Sequence, residues 1–335
     1  MKSNTTTLIG DIGGTNCRLA LAHNGQLLRE SITTYADDAY PTLVDAIRAY
    51  LHEQGVHEQK VRAQKAEVTI ACLAIAGPVT GDTIKLTNHA WHFSIEQTRI
   101  NLNLTALDII NDFEAIALAL PHLRHEHLQQ IGGAEPQPNK PKVAMGPGTG
   151  YGAAQVIRCG ESFIALPSEG GHVSFAPTTE RELALCAWLL RQDLQITREQ
   201  LLSGPGLERI YRGLCELDGV TAEALRAAEI QTRAVADSDP RCVAALNMFC
   251  ELLGTAARDQ ALDILAQGGV YIAGGIVKRL IPFLRASGFR QRFEHSATMR
   301  AVLEPIPVYV ITEDYPGLLG AAARAAALEK ALAPR

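Results

Sequence analysis

Two short apolar runs at the start of the chain flank a turn that is rich in glycine. The runs are residues 8–9 and 19–21, and the segment 10–16 between them holds three glycines, an aspartate, a threonine and an asparagine. Apolar runs on both sides of such a turn predict two strands of a hairpin. The glycines allow positive φ angles and close approach of a ligand to the main chain. A further run at 27–34 predicts a third strand of an antiparallel meander.

Two longer apolar runs have the pattern of strands that are buried on both faces, as in a covered parallel sheet. The first is the nearly continuous run 68–76, and the second is 107–110. The second run leads directly into the polar segment 111–114 and an apolar helix at 115–120. Ligands of open α/β sheets bind at the carboxyl ends of such strands. The segment 111–114 is therefore a candidate site.

Residues 143–157 repeat the opening pattern, with a glycine-rich turn at 146–152 between two strand-like runs. Glycine pairs or clusters thus follow apolar strands three times, at 10–15, 146–152 and 274–275. A short hairpin is predicted at 80–87, and solvated polar surface at 56–67. Apolar positions at helical spacing, or short apolar runs, predict helices at 40–53, 180–190, 197–202, 241–267 and 317–332, and strands at 163–166, 269–273 and 308–311.

The length of 335 residues is enough for about two domains. A net charge of −5 without a long basic run argues against nucleic acid as a partner. The apolar region at the N-terminus is too short for a signal peptide, and no apolar run approaches the roughly 20 residues that span a bilayer. The seven dispersed cysteines form no C-x-x-C pair, which favours reduced thiols in a cytoplasm, mostly as small buried side chains.

Residues 121–142 contain several prolines and glycines and are expected to form less regular structure. We place a domain boundary near the start of this segment.

The two glycine-rich turns are candidate phosphate sites, although the chain has no P-loop motif. Backbone N–H groups in such a turn form a concavity that suits phosphate. Asp11 in the first turn suggests a metal–nucleotide complex, held directly or through water. A tight hairpin without a ligand explains the same stretch. At the second turn, Gly148, Gly150 and Ala153 mimic a dinucleotide fingerprint, but the residues before Gly160 are too few for a helical crossover.

Asn111 and Asp112 have two compatible interpretations. Asn111 with Glu114 three residues on fits a capping box, which is a purely structural role. Asp112, at the end of a buried strand and beside Phe113, fits a general base for phosphoryl transfer to a hydroxyl.

Glu169 and His172 lie on one flexible turn and could bind neighbouring sugar hydroxyls, because a carboxylate accepts two hydrogen bonds at once. A polar surface loop is the alternative. Glu199 lies in the first turn of a helix that Thr197 and Gln200 could begin with a capping box, and the helix dipole explains its charge without a ligand.

The order and spacing of eight short motifs closely resemble the bacterial glucokinase family, within the hexokinase–Hsp70–actin ATPase superfamily. The resemblance runs from Ile9 to Ala321. The motifs are GDIGGTNCRLAL (10–21), TNHAW (87–91), INDFEAIALA (110–119), GPGTGYG (146–152), SEGGHVSFAP (168–177), LLSGPGLERIY (201–211), VYIAGGIV (270–277) and DYPGLLGAA (314–322).

This resemblance implies an α/β protein with the two-domain actin-like ATPase (ribonuclease H-like) fold and an interdomain cleft. The small domain is expected at 1–122 plus 312–335, and the large domain at 123–311. The implied activity is ATP-dependent phosphorylation of D-glucose to glucose 6-phosphate, the entry step of glycolysis, by in-line transfer with MgATP. A cytoplasmic homodimer is implied as well. A non-catalytic sugar sensor, a kinase of another sugar, and a kinase that uses polyphosphate stay open as alternatives.

The resemblance also implies roles for individual residues. Asp112 is the expected base, and Asp11 is expected near Mg²⁺, through water. Three departures from the family pattern (Pro147, Tyr151 and Ser168) affect nucleotide affinity or the sugar loop and remove no catalytic group. The expected glucose ligands are Asn111, Asp112, Glu169, His172 and Glu199. The expected ATP-binding residues are Gly10, Asp11, Gly13, Gly14, Thr15, Asn16, Gly148, Thr149, Gly150, Gly274 and Gly275.

Overall fold

A computed structural model describes residues 5–14, 16–36, 38–55, 68–86 and 91–333. The chain divides into two compact units: Met1–His122 with Asp314–Arg335 (unit 1), and Leu123–Glu313 (unit 2). The strands are β1 (Thr6–Ile12), β2 (Asn16–His23), β3 (Gln26–Ala36), β4 (Val68–Ile75), β5 (Thr83–Lys85), β6 (His92–Ser94), β7 (Ala106–Asn111), β8 (Leu128–Gly132), β9 (Lys142–Pro147), β10 (Tyr151–Cys159), β11 (Ser162–Ser168), β12 (Val270–Ile272) and β13 (Val308–Ile311). The helices are α1 (Leu43–Glu53), α2 (Ile95–Asn101), α3 (Asp112–Ala119), α4 (Glu180–Leu190), α5 (Arg198–Leu201), α6 (Gly204–Leu217), α7 (Ala227–Val235), α8 (Pro240–Ile264), α9 (Gly275–Lys278), α10 (Ile281–Ala286), α11 (Phe289–Glu294), α12 (Arg300–Leu303) and α13 (Pro316–Leu332).

Unit 1 is built on a five-stranded sheet in the order β3-β2-β1-β4-β7. The predicted meander is confirmed, because β2 pairs antiparallel with both β1 and β3. The predicted parallel strands are confirmed, since β4 runs parallel to β1 and β7. Six of the eight residues of β4 are buried, whereas in β7 only Ile109 and Ile110 are. β5 lies in the segment 80–87 that was predicted as a hairpin, but its partner is β6 at 92–94, so the predicted bounds are wrong. Residues 87–90 lie outside the described part of the chain.

Helix α1 begins at Leu43, three residues later than predicted from Tyr40. The reason is a cap: Thr42 has extended backbone, and its Oγ1 accepts a hydrogen bond from the Asp45 backbone N–H at 3.1 Å. The apolar positions that predicted this helix are all buried, namely Leu43, Ala46, Ile47, Tyr50 and Leu51. The predicted solvated segment 56–67 lies outside the described residues.

The C-terminal helix α13 packs on α3 and on the unit 1 sheet. The two helices approach closely at Gly320, where an added Cβ would lie 1.7 Å from the Ala115 carbonyl oxygen. An ion pair joins α13 to β7, because Arg324 Nε donates to Asp108 Oδ2 at 2.6 Å. Helix α13 is thereby fixed to both β7 and α3.

Unit 2 has a six-stranded sheet in the order β11-β10-β9-β12-β13-β8. β10 pairs antiparallel with β9 and β11, so residues 153–159 are strand, and the dinucleotide interpretation of 148–153 is excluded. The 25-residue helix α8 crosses the core of this unit. It ends at Ile264 rather than at the predicted 267, because Leu265 takes a left-handed conformation with φ 50°.

Several short elements of the structure are missing from the sequence prediction. The segment 121–142, predicted as loose, contains strand β8, which pairs with β13. Helices α2 and α9–α12 have at most seven residues each, too few to show a clear hydrophobic period. The prediction of buried cysteines is confirmed at six positions and wrong at Cys159, which is exposed at the end of β10. No helix in the described ranges has the length and apolarity to cross a membrane.

Candidate active site

Asn111 and Asp112 lie where β7 ends and α3 begins. Asn111 is the cap of α3, with its Oδ1 accepting from the Phe113 and Glu114 backbone N–H groups at 2.9 and 3.3 Å. The predicted cap at Asn111 is therefore confirmed, and burial raises the pKa of Glu114 while the Asn111 backbone N–H lowers it. Asn111 Nδ2 also donates to the Gly77 carbonyl at 3.1 Å, in the turn after β4. The amide is thus fixed and keeps one Nδ2 hydrogen for a ligand.

Asp112 is the first residue of α3, and its pKa is clearly raised. Burial raises its pKa from 3.8 to about 6, and the negative charge of Asp11 adds to the rise. The hydrogen bond from the Phe113 backbone N–H to Asp112 Oδ1, at 2.9 Å, opposes it. Asp112 is therefore ionised at neutral pH and more basic than an ordinary aspartate.

Asp11 lies near the end of β1, directly opposite Arg18 of β2. Burial raises its pKa, while Arg18, whose Nη1 is 3.5 Å from Asp11 Oδ2, lowers it. Gly317, at the start of α13, lies against the same carboxyl: an added Cβ would be 3.2 Å from Asp11 Cγ. The end of β1, the start of α3 and the start of α13 therefore converge on a pair of carboxylates.

This carboxylate pair fits a hydrated divalent cation. Because Asp11 raises the pKa of Asp112, a cation between or beside them would relieve the repulsion of like charges. Among the described residues no cluster of three or more His, Cys, Asp or Glu could enclose a metal ion. A cation here would take its remaining ligands from water and phosphate, which is the usual coordination of Mg²⁺.

The first glycine-rich segment forms the predicted hairpin, but its glycines serve close packing rather than positive φ. Gly10 lies inside β1, where an added Cβ would be 2.7 Å from Leu73 Cδ2, and neither Gly10 nor Gly13 has a positive φ. The expectation of positive φ is therefore wrong at these two positions. Gly13 N donates to the Asn16 carbonyl at 3.0 Å and closes the turn. Thr15 lies outside the described residues.

The second glycine-rich segment forms a tight turn at 148–150 between β9 and β10. Gly148 N donates to the Gly150 carbonyl at 2.7 Å, and the Gly148 carbonyl accepts from Gly204 N, the first residue of α6, at 2.9 Å. An added Cβ at Gly148 would meet nothing within 4 Å, so this side of the turn is open. Thr149 is exposed on the turn.

The third glycine pair lies beside the second turn. Gly274 has φ +102°, and an added Cβ would lie 2.5 Å from the Pro147 carbonyl oxygen. Both the conformation and the contact require glycine at this position. Gly275 then begins helix α9. Unit 2 thus brings together two of the three predicted glycine-rich features.

The candidate sugar residues of unit 2 also come together. Glu169 and His172 follow β11 on a turn closed by the His172 N–H to Glu169 carbonyl bond at 3.0 Å, and their side chains are more than half exposed. His172 Nε2 is 3.8 Å from Glu169 Oε2. Glu199, on α5, joins this turn because its backbone N–H donates to the Gly171 carbonyl at 2.9 Å.

The predicted capping box of α5 is only half formed. Thr197 Oγ1 accepts from the Gln200 backbone N–H at 3.4 Å, but Gln200 Oε1 is buried without a hydrogen-bond partner among the described residues.

The sequence analysis did not identify the neighbours of the Asp11 carboxylate, namely Arg18 and Gly317. Arg18 stands inside the motif 10–21, so the hairpin register would have found it, whereas Gly317 is remote in sequence.

Two mixed α/β units, one on a five-stranded and one on a six-stranded sheet, agree with the two-domain actin-like ATPase fold of sugar kinases. A solved glucokinase structure from an Antarctic psychrotroph has 35% sequence identity and a TM-score of 0.87, covering 96% of this chain and 99% of that one. A ROK family glucokinase from Streptomyces griseus, solved with glucose and AMPPNP, has 20% identity and a TM-score of 0.62, which shows the fold alone.

The family model described as Glucokinase matches residues 8–328, and the chain belongs to that family. The glucokinase of Cronobacter sakazakii is 44% identical over 318 residues, covering 94% of this chain and 95% of the relative. The glucokinase of Chromobacterium violaceum is 45% identical over 328 residues, covering 98% of this chain and 90% of the relative. The resemblance inferred from the motifs is confirmed, and the chain is an enzyme that phosphorylates glucose with ATP.

Proposed function

We propose that Asp112 is the general base of this reaction. It takes the proton of the glucose 6-hydroxyl while that oxygen attacks the γ-phosphorus of ATP in line. The O–P bond to glucose forms, the bond from the γ-phosphorus to the ADP oxygen breaks, and the proton rests on Asp112 until it passes to solvent. The observation that carries the proposal is the carboxyl with pKa about 6 at the end of β7.

Glucose is recognised by side chains that accept or donate hydrogen bonds at fixed positions. Glu199 and Glu169 accept from hydroxyls, and His172 provides a ring nitrogen on the same turn as Glu169. The remaining Nδ2 hydrogen of Asn111 donates to a sugar oxygen. The amide of Asn111 is held by the helix cap, so it offers this hydrogen without further loss of side-chain entropy.

ATP is bound by the turns at 13–16 and 148–150 and by the glycine pair at 274–275, whose backbone lets phosphate and adenosine approach closely. Asp11 would hold Mg²⁺ through water, and the cation would neutralise charge at the phosphates. Arg18 keeps the Asp11 carboxyl oriented.

We further propose that the protein is a cytoplasmic homodimer. Its six buried cysteine thiols are in keeping with a reducing compartment.

Replacing Asp11 with asparagine should weaken the use of MgATP and leave glucose binding nearly unchanged. The loss of a metal-orienting carboxylate predicts a fall of about 10- to 100-fold in kcat/KM for MgATP. The acid limb of the pH profile should also move to lower pH, because the Asp11 charge raises the pKa of Asp112. A coupled assay of glucose 6-phosphate formation measures kcat/KM for MgATP and its pH profile. Calorimetric titration measures the affinity for glucose.

The matched control is Asp38→Asn, which neutralises an exposed carboxylate of the same unit and should change neither value. Collapse of glucose affinity in Asp11→Asn with unchanged use of MgATP would assign the first turn to the sugar instead. No glucose 6-phosphate from the unsubstituted chain would favour the non-catalytic sensor.

A further inference from the structure

Glu199 contacts both the turn at 169–172 (the sugar turn) and the end of the turn at 148–150 (the phosphate turn) of unit 2. Its backbone N–H donates to the Gly171 carbonyl at 2.9 Å, beside His172. Its side-chain Oε2 accepts from the backbone N–H of Tyr151 at 2.9 Å, at the end of the 148–150 turn. A single residue therefore connects the segment expected to bind glucose with the segment expected to bind phosphate.

The packing around this link leaves no room for further side chains. An added Cβ at Gly150 would lie 2.5 Å from Glu199 Oε2, and one at Gly171 would lie 2.4 Å from the Tyr151 carbonyl oxygen. The sugar turn thus lies directly on the backbone that ends the phosphate turn. A shift of either segment would displace the Glu199 carboxylate or the Tyr151 backbone.

The phosphate turn is anchored at both ends. The Gly148 carbonyl accepts from Gly204 N at 2.9 Å, and Tyr151 N–H donates to Glu199. The Tyr151 side chain is buried, and Gln260 Nε2 donates to its hydroxyl at 2.6 Å. The Glu199 carboxylate is therefore the side-chain anchor of the second end of the turn, and it belongs to the residue that also joins the sugar turn.

We propose that Glu199 is a positioning residue that couples glucose occupancy to the conformation of the 148–150 turn. Oε2 holds the turn through the Tyr151 N–H group, while Oε1, which accepts no hydrogen bond from the described residues, receives a sugar hydroxyl. This inference rests on the proposed role of Glu199 as a sugar ligand. A sugar that fixes the carboxylate also fixes the turn, so glucose tightens nucleotide binding, and by linkage nucleotide tightens glucose binding.

The first test measures the affinity for AMPPNP with Mg²⁺, by calorimetry, in the absence of sugar. Loss of a hydrogen bond to a charged acceptor predicts that Glu199→Ala weakens this affinity about five- to tenfold. Glu169→Ala is the matched control, because Glu169 is the other sugar carboxylate and its side chain lies beside His172, at 3.8 Å. It should weaken glucose binding only. Glu199→Gln, which keeps an acceptor oxygen for Tyr151 N–H, should restore AMPPNP affinity to within about twofold.

The second test approaches the link from the phosphate turn and measures glucose affinity without nucleotide. Gly150→Ala displaces the end of a flexible side chain and leaves the backbone in place, so the fold is retained. We expect the displaced Glu199 carboxylate to weaken glucose binding about fivefold, because a charged hydrogen bond is lost or distorted. Gly148→Ala is the control, since its Cβ meets nothing and glucose affinity should not change.

The outcomes separate this inference from the assignment of the sugar site. Unchanged glucose affinity in both Glu199→Ala and Glu169→Ala would overturn the sugar assignment itself. Weaker glucose binding in both variants would support the sugar assignment. If AMPPNP affinity is then unchanged in Glu199→Ala and glucose affinity is unchanged in Gly150→Ala, the coupling is overturned. Equal thermal melting of the variants confirms that folded proteins are compared.

Discussion

Replacing Asp112 with asparagine should lower kcat by at least about 10²-fold, the lower range for loss of a general base. The amide is nearly isosteric and can still accept the hydrogen bond from the Phe113 backbone N–H, but it cannot take the proton of the 6-hydroxyl. The KM for glucose should change far less than kcat. Steady-state kinetics with glucose and MgATP measure both values. Turnover near that of the unsubstituted enzyme would contradict the role of Asp112.

A stability measurement distinguishes this loss of activity from unfolding. The pKa of Asp112 is raised from 3.8 to about 6, so the folded state disfavours the ionised carboxyl. The stability that the neutral carboxyl contributes is complete below about pH 4 and is lost as the pH rises through about 6. At pH 8 the asparagine variant should therefore unfold with a free energy up to about 3 kcal/mol higher than the original chain. At pH 4 the two proteins should not differ.

Discrimination between glucose and its 4-epimer galactose should be the second large effect. A site whose charged groups pair with particular hydroxyls leaves those groups unpaired when one hydroxyl changes its orientation. We expect kcat/KM to favour glucose by about 10²-fold at saturating MgATP. The same ratio in Glu169→Gln should be smaller if this carboxylate contacts a sugar hydroxyl. Equal kcat/KM for the two sugars would contradict Glu169, His172 and Glu199 as sugar ligands.

The elements that the sequence predicts well are those with a long hydrophobic pattern or a strong turn. The β1–β2 hairpin, the doubly buried β4 and the long α8 are of this kind. Strand β8 was missed because its five residues, LQQIG, show no regular alternation of apolar and polar positions, and its place depends on pairing with β13. The ends of helices depend on single residues, such as the left-handed Leu265, that pattern alone does not indicate.

The candidate site was predictable as a set of residues but not as a set of contacts. The position of Asp112 at a strand end indicated a base, whereas its raised pKa depends on Asp11, which lies on a strand two places away in the sheet. The hydrogen bond from Tyr151 to Glu199 joins residues 48 positions apart. Such contacts follow from tertiary packing, which local spacing does not contain.

Asp112 as the base is tested most directly by the pH dependence of the apparent kcat/KM for glucose, measured with MgATP far below its own KM so that the free enzyme titrates. Since the base must be ionised, we expect a plateau above about pH 7 and a fall that approaches tenfold per pH unit below a pKa of about 6. Circular dichroism across the range shows that the protein stays folded. A value of kcat/KM that stays level from pH 7.5 down to pH 5 would contradict the assignment of Asp112.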